Sequence, residues 1–117
     1  MNKIIVNREL CKGCKDCYEA CFIDIIKWDA QAKKPIIAAY TATSWTKLLK
    51  PPKGWSGPAA SAGDCFRFCL TNPYVDVVVS APKTAAEMRE NMQAIARGPL
   101  NDEEMARMRA LGKAVHG

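Results

Sequence analysis

The chain is predicted to adopt an α+β fold in which a strand, a cysteine-bearing loop and a β-hairpin precede a helix–strand–helix–helix run. Three observations carry this expectation. Short β-forming stretches at 3–6, 23–28 and 35–40 are separated by turn residues. Helix-start residues recur at Ser61, Thr84 and Asn101, each followed three positions later by an acid. A continuous apolar stretch from Val75 to Ser80, interrupted only by Asp76, separates the first two of those helices.

Each element has a local reason. Lys3-Ile-Ile-Val6 is a short strand. Asn7 to Cys14 is a loop, and Gly13 within it permits a tight turn. Asp16 to Phe22 has length for one or two helical turns. Ile23, Ile25, Ile26 and Trp28 make a strand, 29–34 a turn, and Pro35 to Tyr40 a second strand with proline near its start, where a missing donor is tolerated. Residues 43–60 contain Pro51, Pro52, Gly54, Gly57 and Pro58 and therefore form an irregular loop. That loop is expected to bury Trp45, Leu48, Leu49 and Trp55, which are too apolar for a free linker. Ser61-Ala-Gly-Asp64 opens a helix that ends before Pro73. Val75–Ser80 reads as a buried parallel strand. Thr84-Ala-Ala-Glu87 opens a helix with an apolar face of Met88, Met92 and Ile95, stopping at Gly98-Pro99. Asn101 caps the last helix, stapled by Leu100 and Met105 and facing inward through Met105, Met108 and Leu111. The strands can share one small sheet covered by the C-terminal helices. A chain that instead needs a second copy or a completing subunit for its core is the other solution.

Composition narrows the function classes. The net charge is +5, and the excess lies in residues 1–55, which hold ten Lys/Arg against five Asp/Glu. Part of it would offset the about −2 that four thiolates bring to a 2+ iron–sulfur core; plain solvation of the surface accounts for it equally well. No basic run is interleaved with aromatics as in a nucleic-acid surface. No apolar run approaches a membrane span. Ile4-Ile5-Val6 is too short and too near charge to be a secretory signal, so a reducing cytoplasm is expected, where clustered thiols bind metal more often than they form disulfides.

The cysteines carry the sharpest signal. Cys11-x2-Cys14-x2-Cys17-x3-Cys21 is the spacing that lets one loop wrap a 4Fe–4S cluster. Zinc is the competing metal, but zinc sites usually split their ligands into two separated pairs. Cys65 and Cys69 share a helix face among Phe66, Phe68 and Leu70, where cysteine is more often core than ligand. Lys83 and Thr84 sit between a strand end and a helix start, a ready anion site; equally, Thr84 is a plain N-cap and Lys83 a solvated charge.

Residues 3–39 resemble the first half of a bacterial-type ferredoxin, with CKGCKDCYEAC as the matching stretch. The resemblance implies Cys11, Cys14 and Cys17 as ligands of one cluster, with one-electron transfer to a redox partner protein. Cys21 matches the family's fourth cysteine, which serves the other cluster where there are two. Here residue 22 is Phe where the motif has Pro, and the second cysteine run is missing, so the fourth ligand stays open.

From about residue 38 to 117 the chain resembles the C-terminal end of an aldo-keto reductase barrel. Tyr40-Thr-Ala-Thr-Ser-Trp45, Asp64-Cys-Phe-Arg-Phe-Cys-Leu-Thr-Asn-Pro73, Val75-Asp-Val-Val-Val-Ser80, Lys83-Thr84 and Glu90-Asn91 carry the likeness. It implies a weak NADP(H) site: Tyr40 near the nicotinamide, Thr41 by the diphosphate, Lys83 and Thr84 at the 2′-phosphate, Glu87 and Asn91 near the adenosine. The family's Asp, Tyr, Lys and His tetrad comes from earlier strands that are absent here, and His116 is the sole histidine. The sequence thus divides into a ferredoxin-like segment, 1–39, and a reductase-like segment, 40–117. The function expected is that of an iron–sulfur electron carrier. The alternatives are a non-catalytic piece of an NADP-dependent reductase, or a zinc-stabilised binding module.

Overall fold

The computed structural model describes residues 7–21 and 26–116. The strand expected at 3–6, and residues 23–25 of the next, lie outside the described residues. Within them the fold is α+β, with four helices and one small mixed sheet: α1 (Asp16–Ala20), β1 (Ile26–Asp29), β2 (Lys34–Ala39), α2 (Ala62–Thr71), β3 (Val77–Val78), α3 (Ala85–Ala96) and α4 (Asp102–His116). A short 3-10 turn, Lys47–Leu49, interrupts the long loop.

The sheet order is β1-β2-β3. β1 and β2 pair antiparallel with Ile26 opposite Ile37 and Trp28 opposite Pro35. Their turn closes because the Asp29 carboxylate accepts from the backbone N–H groups of Gln31 (2.9 Å) and Ala32 (3.0 Å). β2 and β3 run parallel, Ala38 opposite Val77 and Ala39 opposite Val78. Three of the four strands expected to share one small sheet do so among the described residues, and β3 is parallel as expected. It is neither long nor buried. Only two residues form the strand, Val77 and Val79 are exposed, and Val78 between them is half-buried. One face of this edge meets solvent, so the apolar run alternates like a half-covered strand.

Asp76, which looked like an interruption, fastens β3 to β2. Its backbone N–H donates to the Ile37 carbonyl (2.9 Å), and its carboxylate accepts from the Ile37 N–H (2.9 Å) and from the Arg8 guanidinium.

α2 opens with a complete capping box: Ser61 Oγ accepts from Asp64 N (3.0 Å) and the Asp64 carboxylate from Ser61 N (3.0 Å). α4 does the same through Asn101 and Glu104 (2.8 and 3.0 Å). At α3 the box opens by one residue. Thr84 Oγ1 accepts from Glu87 N (3.1 Å), but the Glu87 carboxylate accepts from Lys83 N (2.7 Å). The inward face of α3 also differs from the expected methionine stripe. Asn91 and Ala94 are buried, while Met88 and Met92 are exposed. The cause is Gly63, whose missing side chain lets Ala94 approach so closely that a Cβ there would lie 2.3 Å from the Ala94 Cβ. That close helix–helix contact fixes the rotation of α3.

The main core gathers Ala60, Cys65, Leu100, Met108 and Leu111, with Leu48, Leu49, Trp55, Met105 and Val115 packed against it. The staple and inward face predicted for α4 are thus present. Full burial of Leu111 stabilises by about 1.5–3 kcal/mol. Trp45 departs from expectation: it is 78% exposed.

Arg67, only 5% exposed, is held on every side. Its Nε donates to the Gly98 carbonyl (2.9 Å), Nη2 to the Pro99 carbonyl (3.2 Å), and the fork to both Glu104 oxygens (3.0 and 3.2 Å). One turn on, Thr71 Oγ1 accepts from Leu100 N (2.9 Å). The Arg67 hydrogen bonds, then the Asn101 N–H, hold the Glu104 carboxyl below its ordinary 4.5. A carboxyl lowered on folding stabilises fully above its unfolded value and loses that contribution as pH falls through the lower folded one. Glu104→Gln is therefore expected to be less stable than wild type at neutral pH, with the gap closing as pH drops below 4.5. Urea melts across pH 3 to 7 check this, and a gap independent of pH would show that the ion pair contributes nothing.

Candidate functional site

Two sites emerge, at opposite ends of β2. At its start, the cysteine loop is tied to the sheet. Asn7 Oδ1 accepts from the Glu9 and Leu10 N–H groups (3.1 and 3.2 Å), shaping the turn before Cys11. Lys34 Nζ donates to the carbonyls of Arg8 (2.8 Å) and Cys11 (2.6 Å). The Arg8–Asp76 ion pair adds a second tie, to β3. Gly13 (φ +73°) and Lys15 (φ +69°) take left-handed conformations on either side of Cys14. Glycine is needed at 13 for space as well: a Cβ would sit 3.1 Å from the Lys33 carbonyl. Lys15 Nζ lies 5.5 Å from the centre of the Trp28 ring.

Cys11 and Cys21 are half-buried; Cys14 and Cys17 are exposed. All four lie on one short segment running from loop through α1, in which Cys17 occupies the first turn and Cys21 caps the end. Among the described residues, no three Cys, His, Asp or Glu side chains converge as a metal-holding group. The donor chemistry nevertheless fits iron or zinc, since all four thiols are exposed or half-buried on a segment that also carries Lys12 and Lys15. The remaining pair is different. Cys65 is 1% exposed inside the core. Burial, then the neighbouring Cys69 and Asp64, push its thiol up to about 12, and burial raises Cys69 as well.

At the other end of β2 lies a cavity of about 880 Å³, within the range of small-molecule sites. Tyr40, Thr41, Lys83, Glu87 and Asn91, five of the six residues assigned to a cofactor from sequence, line it. Thr84 does not; its hydroxyl is engaged as the α3 cap. Asn91 Nδ2 donates to Ser80 Oγ (3.2 Å), joining α3 to the segment after β3. Sequence reasoning missed Trp45, Gly63, Ser80 and Arg97, which also line the cavity. Ser80 was legible as the strand's end facing Lys83. Gly63 and Arg97 are brought in by the α2–α3 crossing, which leaves no mark on local sequence. Arg97 pairs loosely with Asp64 (3.9 Å), and the cavity's charged lining is balanced, Lys83 and Arg97 against Glu87 and Glu90.

Among the described residues no helix is long and apolar enough to cross a membrane. Comparison with protein-family models, curated proteins and solved structures finds no match to this chain.

The contrast between the cysteines is directly measurable. In the folded, metal-free chain at pH 8, alkylation is expected to modify Cys14 and Cys17 quickly and to spare Cys65, whose thiolate fraction there is roughly one in ten thousand. Peptide mapping by mass spectrometry reads this out. Rapid labelling of Cys65 before denaturation would mean that α2 does not keep it in the core.

Proposed function

We propose that the chain holds a 4Fe–4S cluster through Cys11, Cys14, Cys17 and Cys21 and exchanges single electrons with a partner protein. The observation that carries this is the division of the cysteines: four at cluster spacing on one accessible, anchored segment, and two elsewhere on α2, Cys65 buried and Cys69 half-buried. The burial of Cys65 also removes the second ligand pair that zinc usually takes, which favours iron–sulfur over zinc. The likeness of residues 3–39 to a bacterial-type ferredoxin points the same way. When bound, the cluster supplies one-electron chemistry. The chain's own contribution is to deliver four thiolates on a segment rich in lysine, and to fix the loop on the sheet through Lys34 and Asp76. Exposed Leu10, beside Cys11, offers a partner an apolar contact at the loop.

Protein purified without oxygen is expected to be brown, with about four irons and four sulfides per chain. Cys14→Ala should abolish the colour and Cys65→Ala should keep it. Colourless protein holding stoichiometric zinc would replace this reading with the zinc module.

The cavity favours a second reading, an NADP-type dinucleotide site inherited from a reductase-like barrel. Five of the six residues that the aldo-keto reductase resemblance names stand around one space. Lys83 and the start of α3 offer charge to a phosphate against the opposing Glu87 and Glu90 carboxylates on the same cavity, an attraction typically worth no more than about 0.3–1 kcal/mol when exposed. Affinity is expected near millimolar, about −4 kcal/mol. It should weaken with salt and with Lys83→Ala, and no aldehyde should be reduced, since no general acid faces the cavity in the family's arrangement. Titration calorimetry with NADP+ tests it; binding indifferent to both salt and Lys83→Ala would remove the phosphate from the interaction.

A further inference from the structure

The cysteine segment and β3 are far apart in sequence, yet a continuous set of polar contacts joins them. Lys34 Nζ donates to the carbonyls of both Arg8 (2.8 Å) and Cys11 (2.6 Å), and Asn7 Oδ1 accepts from the Glu9 and Leu10 N–H groups between them (3.1 and 3.2 Å). Residues 8–11 are thereby held as one unit, and the Arg8 guanidinium at its start donates to Asp76 Oδ1. The other carboxylate oxygen, Oδ2, accepts from Ile37 N (2.9 Å), while Asp76 N donates back to the Ile37 carbonyl (2.9 Å). β3 comprises only Val77–Val78, with a further bond from Val79 N to the Ala39 carbonyl (2.8 Å). A strand this short leans on the Asp76 contacts for its attachment to β2.

One carboxylate is thus divided between the cysteine segment and the β2–β3 seam. We propose that Arg8 and Asp76 form a latch that couples metal capture by Cys11, Cys14, Cys17 and Cys21 to the pairing of β3 with β2. The proposal rests on the reading of those four cysteines as a metal site and adds to it two positioning residues that act through the backbone of Cys11. A ligated Cys11 fixes the unit 8–11, and with it the place of the Arg8 guanidinium, which then gives up less freedom in meeting Asp76. By thermodynamic reciprocity, whatever the latch adds to metal affinity, the metal adds to β3 pairing. Both side chains of the ion pair are partly exposed, so solvent screening keeps the coupling to about twofold to fivefold in a binding constant. The latch is separable from the seam. Asp76→Asn keeps one oxygen for Ile37 N but offers Arg8 an amide NH2 in place of the second oxygen, and Arg8→Gln leaves the Asp76–Ile37 bonds in place.

The reduced, metal-free full chain is titrated with cadmium(II) alone, in competition with a chelator, and followed by the thiolate-to-metal absorption band. Amide hydrogen exchange is read at Asp76 and Val79 with and without the metal. Arg8→Gln and Asp76→Asn are each expected to weaken cadmium binding about twofold to fivefold, and the double variant no further, because the two act as one pair. Arg8→Lys, which restores a cation facing Asp76, should recover most of the loss. In wild type the metal should slow exchange at Asp76 and Val79 by about the same factor, and in Arg8→Gln it should not. Wild-type affinity in Arg8→Gln, or undiminished slowing of those amides in that variant, would overturn the latch and leave the metal site standing. A missing thiolate band, or one that Cys14→Ala leaves at full strength, would overturn the metal reading and the latch with it.

Discussion

The fold of the C-terminal segment depends on one buried cation. Arg67 projects from α2 into the turn between α3 and α4, where Gly98, Pro99 and Leu100 have no helix to satisfy their backbone groups. The guanidinium takes two of the carbonyls, and Thr71 takes the Leu100 N–H. With the remaining donors Arg67 grips Glu104, the same residue that closes the capping box of α4. One side chain therefore sets where α3 stops, where α4 starts and how both stand against α2. The core is arranged by that geometry: Leu100 is buried beside the turn, and Met108 and Leu111 are directed onto Cys65 one and two turns along α4. A buried charge is tolerable because each of the three guanidinium nitrogens has a partner, and removal of Glu104 leaves a desolvated cation behind.

β2 is the second constraint, because it connects the two candidate sites. Lys34 at its first position holds the carbonyls of the cysteine loop, and Tyr40, just past its last, lines the cavity. Six residues of extended chain span roughly 20 Å. No residue serves both places. The cysteine segment and the cavity thus share a strand as a common support without forming one centre, and the electron exchange proposed for the first would not require a ligand in the second.

Local chemistry was legible in the sequence, and packing was not. The capping residues at Ser61, Thr84 and Asn101, the left-handed turn at Gly13 and the helix stop at Gly98 follow from rules that act over three or four residues. The rotation of α3 was misread. Met88, Met92 and Ile95 form a plausible inward stripe, yet Asn91 and Ala94 face inward because a small residue on each helix permits close approach. Asp76 and Arg67 escaped for the same reason: each acts on backbone groups far away in sequence. Tyr40, Lys83 and Asn91 line one cavity, and so does Trp45, whose apolarity alone points to the core although it is exposed.

The cysteine motif poses a different problem, since its spacing is clear while its convergence is not a property of the polypeptide. Four thiols gain nothing by approaching one another, and as thiolates they repel. In the proposed site the positive charge of the metal would bring these side chains together, so that assembly of the site and binding of the ion would be a single event. The chain's part is then to hold the segment ready and accessible. Asn7 shapes its entrance, Lys34 and Asp76 pin it to the sheet, and left-handed turns at Gly13 and Lys15 bend it around Cys14. Those features constrain the loop's backbone, as the proposed metal site would require.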